Sequence, residues 1–177
     1  PVRLRPGMYI GSTGRTGLNH LVQEIIDNAV DEHLAGYCKN IYVSLNEDGS
    51  ATVEDDGRGI PVDLHPTEKK SAERVVFTVL HSGGKFNDSV YKISGGLHGV
   101  GSAVVNALSS KLFVDVYRDG NVYHDSYEYG KPKTKLIDGL LPSEPLKTKK
   151  TGTRVTHYPD DTIFETVKFK SSAIRQR

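Results

Sequence analysis

Leu18, Leu21, Val22, Ile25 and Ala29 recur along "GLNHLVQEIIDNAVDEHLAG" at the spacing of one helical face, and Gly36 stands where a C-terminal cap belongs. The period then changes. "NIYVSL" and "ATVED" alternate on either side of the turn "NEDGS", which predicts a hairpin running into a tight "DDGRGIP" turn. Ser71 is placed to cap a second helix, "SAERVVFTVLHSGG", and a glycine-rich run leads into a third, "GSAVVNALSS". "KLFVDVYRDGNVYHDSYEYG" alternates around Asp119-Gly120, a two-residue hairpin signal, and "TGTRVTHYP" reads as one more strand. "HPTEKK" and "PLKTKKTG" read as solvated loops. Helices interleaved with hairpins predict an α+β fold: a two-layer sandwich with helices on one face of a mixed, largely antiparallel sheet.

Composition narrows the class. A chain of 177 residues with 36% hydrophobic residues and a formal net charge of +1 suits one soluble domain with a real core, spanning 1–177. Its 23 Lys and Arg nowhere gather into the basic stripe that a nucleic-acid surface needs. A single cysteine, Cys38, excludes an internal disulfide and fits a reducing compartment. No apolar run approaches the ~20 residues of a membrane span, and "PVRLRPGMYIG" has no signal-peptide core, so the expected location is the cytoplasm. The chain opens on Pro1 and closes on "KFKSSAIRQR" in what reads as mid-helix, so it is expected to be a fragment of a larger protein.

The polar positions carry the candidate chemistry. On the first long helix His20, Glu24 and Asn28 form one stripe, with Asp27 and Asp31 beside it. A solvated face would explain such a stripe. Glu32 is different, because its phase puts it inside the apolar arc, where an acid needs a partner; Arg58 is the expected cation. The "DDGRGIP" turn adds Asp55 and Asp56 at a strand end, with Gly57 and Gly59 allowing close backbone approach. An acid facing an apolar pocket is a hydrogen-bond acceptor suited to an amino group. "GGLHGVG" spends four glycines in seven residues, each costing on the order of 0.5–1 kcal/mol inside a regular element. Such backbone offers N–H groups to oxyanions, Lys85 and Lys92 bring charge, and the helix beginning near Gly101 presents its positive end. Phosphates suit that arrangement. Neither G-x-x-x-x-G-K-[ST] nor G-x-G-x-x-G is present, since Val104 occupies the last position of the second.

"EIIDN", "DDGRGIP", "GGLHGVG" and "TGT" (Thr151 to Thr153) resemble, in order, the four boxes of the GHKL ATPases, whose fold is the Bergerat fold. Within that superfamily, "RPGMYIG" and "HSGGKF" make the chain most similar to the ATP-binding domain of bacterial type IIA topoisomerase B subunits, of the gyrase or topoisomerase IV (ParE) kind. The resemblance implies ATP and Mg²⁺ as ligands. It implies Glu24 as the general base that activates water, with His20 helping to orient it, and Asn28 as the Mg²⁺ ligand. Asp55 would accept from the adenine amino group, supported by Thr153, while Gly59, Ile60, Pro61 and Val76 would wall the pocket. Glu32 and Arg58 would pair. Lys85, Tyr91, Lys92 and the backbone of Gly96, Leu97, His98, Gly99, Val100 and Gly101 would form a lid over the phosphates.

The resemblance further implies a parent protein that binds DNA and an A-type subunit, dimerises on ATP, drives supercoiling or decatenation, and is blocked by competitive ATP-site inhibitors. Arg118 matches a family position at the pocket mouth. A dimer-forming arm and a following domain with a catalytic lysine are expected outside this stretch, leaving a monomeric piece with little turnover. Ser102 departs from the pattern, because relatives often carry an apolar residue there. Other readings stay open at this point: a MutL-type repair ATPase, a heat-shock ninety chaperone, a histidine kinase, or a nucleotide-binding module that does not hydrolyse. His20 can be an ordinary polar-face residue and His98 an ordinary loop side chain.

Overall fold

The alternating segments pair into one seven-stranded sheet in the computed structural model, which describes residues 2–80 and 101–165. β1 (Ile41–Leu45) and β2 (Ala51–Asp55) form the first predicted hairpin, and β3 (Ser109–Arg118) and β4 (Asn121–Glu128) the second. Two short strands that the alternation did not announce, β5 (Lys131–Pro132) and β6 (Ser143–Pro145), both pair with β4. β7 (Gly152–Pro159) inserts between β2 and β3, giving the order β1-β2-β7-β3-β4-β5. Every pairing of these strands is antiparallel. At the second hairpin Asp119 (φ 55°) and Gly120 (φ 76°) are both left-handed, the backbone that a two-residue hairpin turn demands.

Strand period decides what faces inward. Ala51, Val53 and Asp55 alternate along β2 and are all buried, and the register sets Val53 beside Val155 and Val155 beside Val114. The next row holds Asp55, Thr153 and Val116. On the opposite face Thr52 and Thr156 share a 3.0 Å hydroxyl contact, and Tyr42 and Phe113 are exposed. The sheet therefore has one covered face.

Helices provide the cover. α1 (Gly7–Ile10) is a single turn, and α2 (Arg15–Leu34) buries the predicted face of Leu18, Leu21, Val22, Ile25 and Ala29. Each large aliphatic side chain so buried contributes about 1.5–3 kcal/mol, enough to hold the helix to the sheet. Gly36, at φ 90°, follows the helix end as expected. α3 (Ala72–Thr78) and α4 (Gly101–Ala107) complete the layer. Both differ from the pattern-based expectation. Ser71 precedes α3 without capping it, because its hydroxyl donates to the Val62 carbonyl at 2.8 Å and closes the preceding loop instead. α4 stops at Ala107, and Ser109 and Ser110 begin β3; the Ser109 hydroxyl donates to the Val105 carbonyl at 2.7 Å and terminates the helix.

A buried polar cluster ties α3 to β4. Arg74 makes a fork of 2.8 and 2.7 Å bonds to Asp125, and Tyr127 donates to Asp125 at 2.7 Å. Glu73 lies fully buried beside them, and burial together with the Asp125 carboxylate raises its carboxyl well above the ordinary range, so it is held protonated.

Candidate functional site

The site forms where α2 crosses the end of β2. Period two brings Asp55 to the inward face as the last residue of β2, beside Thr153 of β7. There the chain turns through Asp56 to Gly59. Asp56 points away from the helix layer: it accepts from the Lys39 and Asn40 backbone at 2.8 and 2.9 Å and from the Asn40 amide at 2.8 Å, which holds its carboxyl far below the usual range. The two adjacent acids thus have separate tasks. Asp55 accepts from the Gly57 N–H at 2.9 Å, and burial, reinforced by the Glu32 charge, pushes its carboxyl up to about 6.

Contacts from four residues hold this turn in place. Glu32, buried on α2 as its phase predicted, takes the Arg58 guanidinium at 2.7 Å and the Arg58 N–H at 2.8 Å. The guanidinium also lies 3.8 Å from the centre of the Tyr37 ring. Thr153 accepts the Ile60 N–H at 3.0 Å. Arg118, half-buried, donates to the Gly59 carbonyl at 2.8 Å. Glycine is required where β7 meets the turn: Gly152 has φ 137°, and a Cβ there would sit 1.9 Å from the Asp55 carbonyl oxygen.

Between turn and helix lies a cavity of about 10 Å³, room for a single water molecule. Ile25, Val53, Ile60, Phe77 and Val155 form its apolar walls, and Asn28, Asp55 and Thr153 bring polar groups to it. An acid, an amide and a hydroxyl converging on apolar walls can hydrogen-bond one polar group there, and a whole ring would need the site to widen.

Residues 13–163 match the family of histidine kinase-, DNA gyrase B-, and HSP90-like ATPases. The chain belongs to that family. The B subunit of DNA gyrase from Thermotoga maritima is 59% identical over 178 residues, covering 100% of this chain and 27% of that protein. The B subunit of DNA topoisomerase 4 from Staphylococcus aureus is 57% identical over 165 residues, covering 93% of this chain and 24% of that protein. Among solved structures, the 43K ATPase domain of Thermus thermophilus gyrase B, in complex with an aminocoumarin, superimposes with a TM-score of 0.83 at 47% identity. That match covers 99% of this chain and 42% of the other. The chain thus spans about a quarter of the length of the curated relatives it matches.

Within this ATPase fold the sequence-derived residues fall into three groups. Asn28, Asp55, Ile60 and Thr153 meet at the cavity, and Glu24 lies buried one turn before Asn28 on α2, with His20 half-buried a further turn back. Glu32, Arg58 and Gly59 support the turn. Val76 is packed into the core without lining this cavity, and Pro61 does not line it either; the neighbouring Phe77 does. Of the cavity's apolar walls the sequence pattern marks only Ile25, as a core-facing helix position; Phe77, Val53 and Val155 carry no signal beyond being apolar. Lys85, Tyr91, Lys92, Gly96, Leu97, His98, Gly99 and Val100 lie outside the described residues. Gly101 opens α4 at φ 66°.

Among the described residues, no helix is long and apolar enough to cross a membrane, and no group of three or more His, Cys, Asp or Glu is placed to hold a metal ion.

Proposed function

We propose that this chain is the ATP-binding and hydrolysing part of a bacterial type IIA topoisomerase B subunit, of the gyrase or topoisomerase IV kind. The observation that carries the reading is Asp55, a buried acceptor at the end of β2 facing an apolar cavity beside Thr153. Adenine presents an amino group to such an acceptor, whereas guanine presents a carbonyl, so Asp55 selects ATP over GTP. Thr153 keeps the wall of the base site in register by holding Ile60.

Glu24 takes the proton from the water that attacks the γ-phosphate, and His20 orients that carboxylate from one turn away. Buried on a helix anchored to the sheet, Glu24 has little freedom to wander from the line of attack. Asn28 supplies one amide oxygen to Mg²⁺. The donor type fits that ion: Asn28 brings a hard amide oxygen to the cavity, and phosphate oxygens and water would complete the shell, as Mg²⁺ prefers. When bound, Mg²⁺ offsets charge on the β- and γ-phosphates. Lys85, Tyr91, Lys92 and the Gly96–Gly101 backbone close over the phosphates. The high identity to gyrase and topoisomerase 4 B subunits supports DNA and an A-type subunit as partners of the whole protein, cytoplasmic work, ATP-driven dimerisation, and competitive inhibition at the Asp55 site. The test is calorimetric titration with ATP and GTP, with and without Mg²⁺. ATP is expected to bind and GTP to be rejected; equal binding of both would refute Asp55 as the reader of the base.

A further inference from the structure

A second cavity, of about 280 Å³, opens between Val2, the end of α3, α4 and the turn after β4. Leu80, Ala103, Ala107 and Tyr129 give it a largely apolar lining. Phe77 lines it as well, and of the walls of the small cavity at Asp55, Phe77 alone does so. We propose that Phe77 is a specificity-determining residue: it is the partition that ends the base site, and it makes the site reject adenines whose amino group carries a bulky apolar substituent. This rests on Asp55 reading that amino group.

The partition is anchored at both backbone and ring. Asn106, buried on α4, donates from Nδ2 to the Phe77 carbonyl at 2.9 Å, and since a carbonyl only accepts, the bond fixes which way the amide points. The Phe77 ring lies 6.0 Å from the Tyr127 ring, and the Tyr127 hydroxyl is tied to Asp125 at 2.7 Å. Such a wall does not yield cheaply. On its Asp55 side the cavity of about 10 Å³ has room for one small polar group, so a primary amino group suits it and a substituent on that nitrogen collides with close-packed core. On its other side the space is ample: an apolar cavity of about 150 Å³ is enough to take a benzene ring, and this one is larger. Shortening Phe77 therefore joins the two spaces. A benzylated amino nitrogen still carries one N–H for Asp55, so the bond that reads the base survives while the ring gains somewhere to go.

The experiment titrates the full-length protein with ATP, with GTP and with a benzyl-ATP that carries one benzyl group on the adenine amino nitrogen. The proteins are wild type, Phe77→Leu and Phe77→Ala, each checked for folding by thermal unfolding. Wild type is expected to bind benzyl-ATP at least about tenfold more weakly than ATP, the scale on which a closed apolar pocket rejects added bulk. In the variants the ratio of benzyl-ATP to ATP affinity should rise by about tenfold or more. That ratio is the readout because general loosening of the core weakens both ligands alike. Phe77→Leu keeps a branched apolar side chain in the core and carries the test if Phe77→Ala does not fold. A wild type that binds benzyl-ATP as tightly as ATP, or a folded variant whose ratio stays at the wild-type value, overturns the inference and leaves Asp55 as the reader of the base. A wild type that binds GTP as tightly as ATP overturns the assignment of Asp55 and the inference with it.

Discussion

Replacing Asp55 by Asn is expected to stabilise the nucleotide-free protein while damaging its function. The carboxyl is pushed from an ordinary value of 3.8 to about 6, chiefly by burial. At about 1.36 kcal/mol per pH unit, that displacement corresponds to about 3 kcal/mol of folding free energy lost on ionising Asp55 in the fold. Because the folded-state value lies above the unfolded one, this stability is fully present below about pH 3.8 and is lost as pH rises through about 6. Asn is neutral at every pH and its carbonyl can still accept the Gly57 N–H, which Asp55 now takes at 2.9 Å. Asp55→Asn should therefore exceed wild type by about 1–3 kcal/mol at pH 7.5, the lower figure allowing for an imperfectly paired amide N–H₂. Urea unfolding at pH 7.5, 6, 5 and 4 is the assay. The gap should narrow steadily and close near pH 4. A variant no more stable than wild type at pH 7.5, or a gap that does not change with pH, would refute the assignment of a strained carboxylate. The same variant should bind ATP more weakly, as expected where function holds a site away from its stability optimum.

Four further substitutions probe the same region and the packing around it. Glu24→Ala should keep ATP affinity within a few-fold but abolish hydrolysis in the full-length protein, because a base acts mainly in the transition state; steady-state turnover beside equilibrium binding separates the two. Arg58→Ala should cost about 2 kcal/mol in urea unfolding, since it strands the buried Glu32 carboxylate, with the partial exposure of Arg58 lowering the figure expected for a fully buried pair. Glu73→Gln should change stability at pH 7 by less than about 1 kcal/mol, because the native carboxyl is already neutral; a large loss would mean that Glu73 is ionised against Arg74. Gly152→Ala should fail to fold or lose more than about 3 kcal/mol, since its Cβ would collide with the Asp55 carbonyl; near-native thermal unfolding would contradict that geometry.

Much of the architecture was written in local pattern. The phase of α2 named its buried face and picked out Glu32 as an acid needing a cation, and Arg58 meets it at 2.7 Å. Period two carried Asp55 inward and Asp119-Gly120 closed its hairpin, because strand alternation and left-handed turn backbone are properties of consecutive residues. What the pattern did not contain were choices between distant partners. Ser71 had a helix to cap and bonded to Val62 instead; α3 and α4 stopped earlier than their apolar runs; adjacent Asp55 and Asp56 parted, one into the helix layer and one onto the backbone of Lys39 and Asn40. Phe77 rather than Val76 reached the cavity, and Asn28 found Ser102. A side chain's periodicity depends on its neighbours in the chain, whereas its hydrogen-bond partner and ionisation depend on which elements pack across from it. Here that is set by β7 inserting between β2 and β3 and by α2 lying against α4, arrangements that bring residues dozens of positions apart into hydrogen-bond contact.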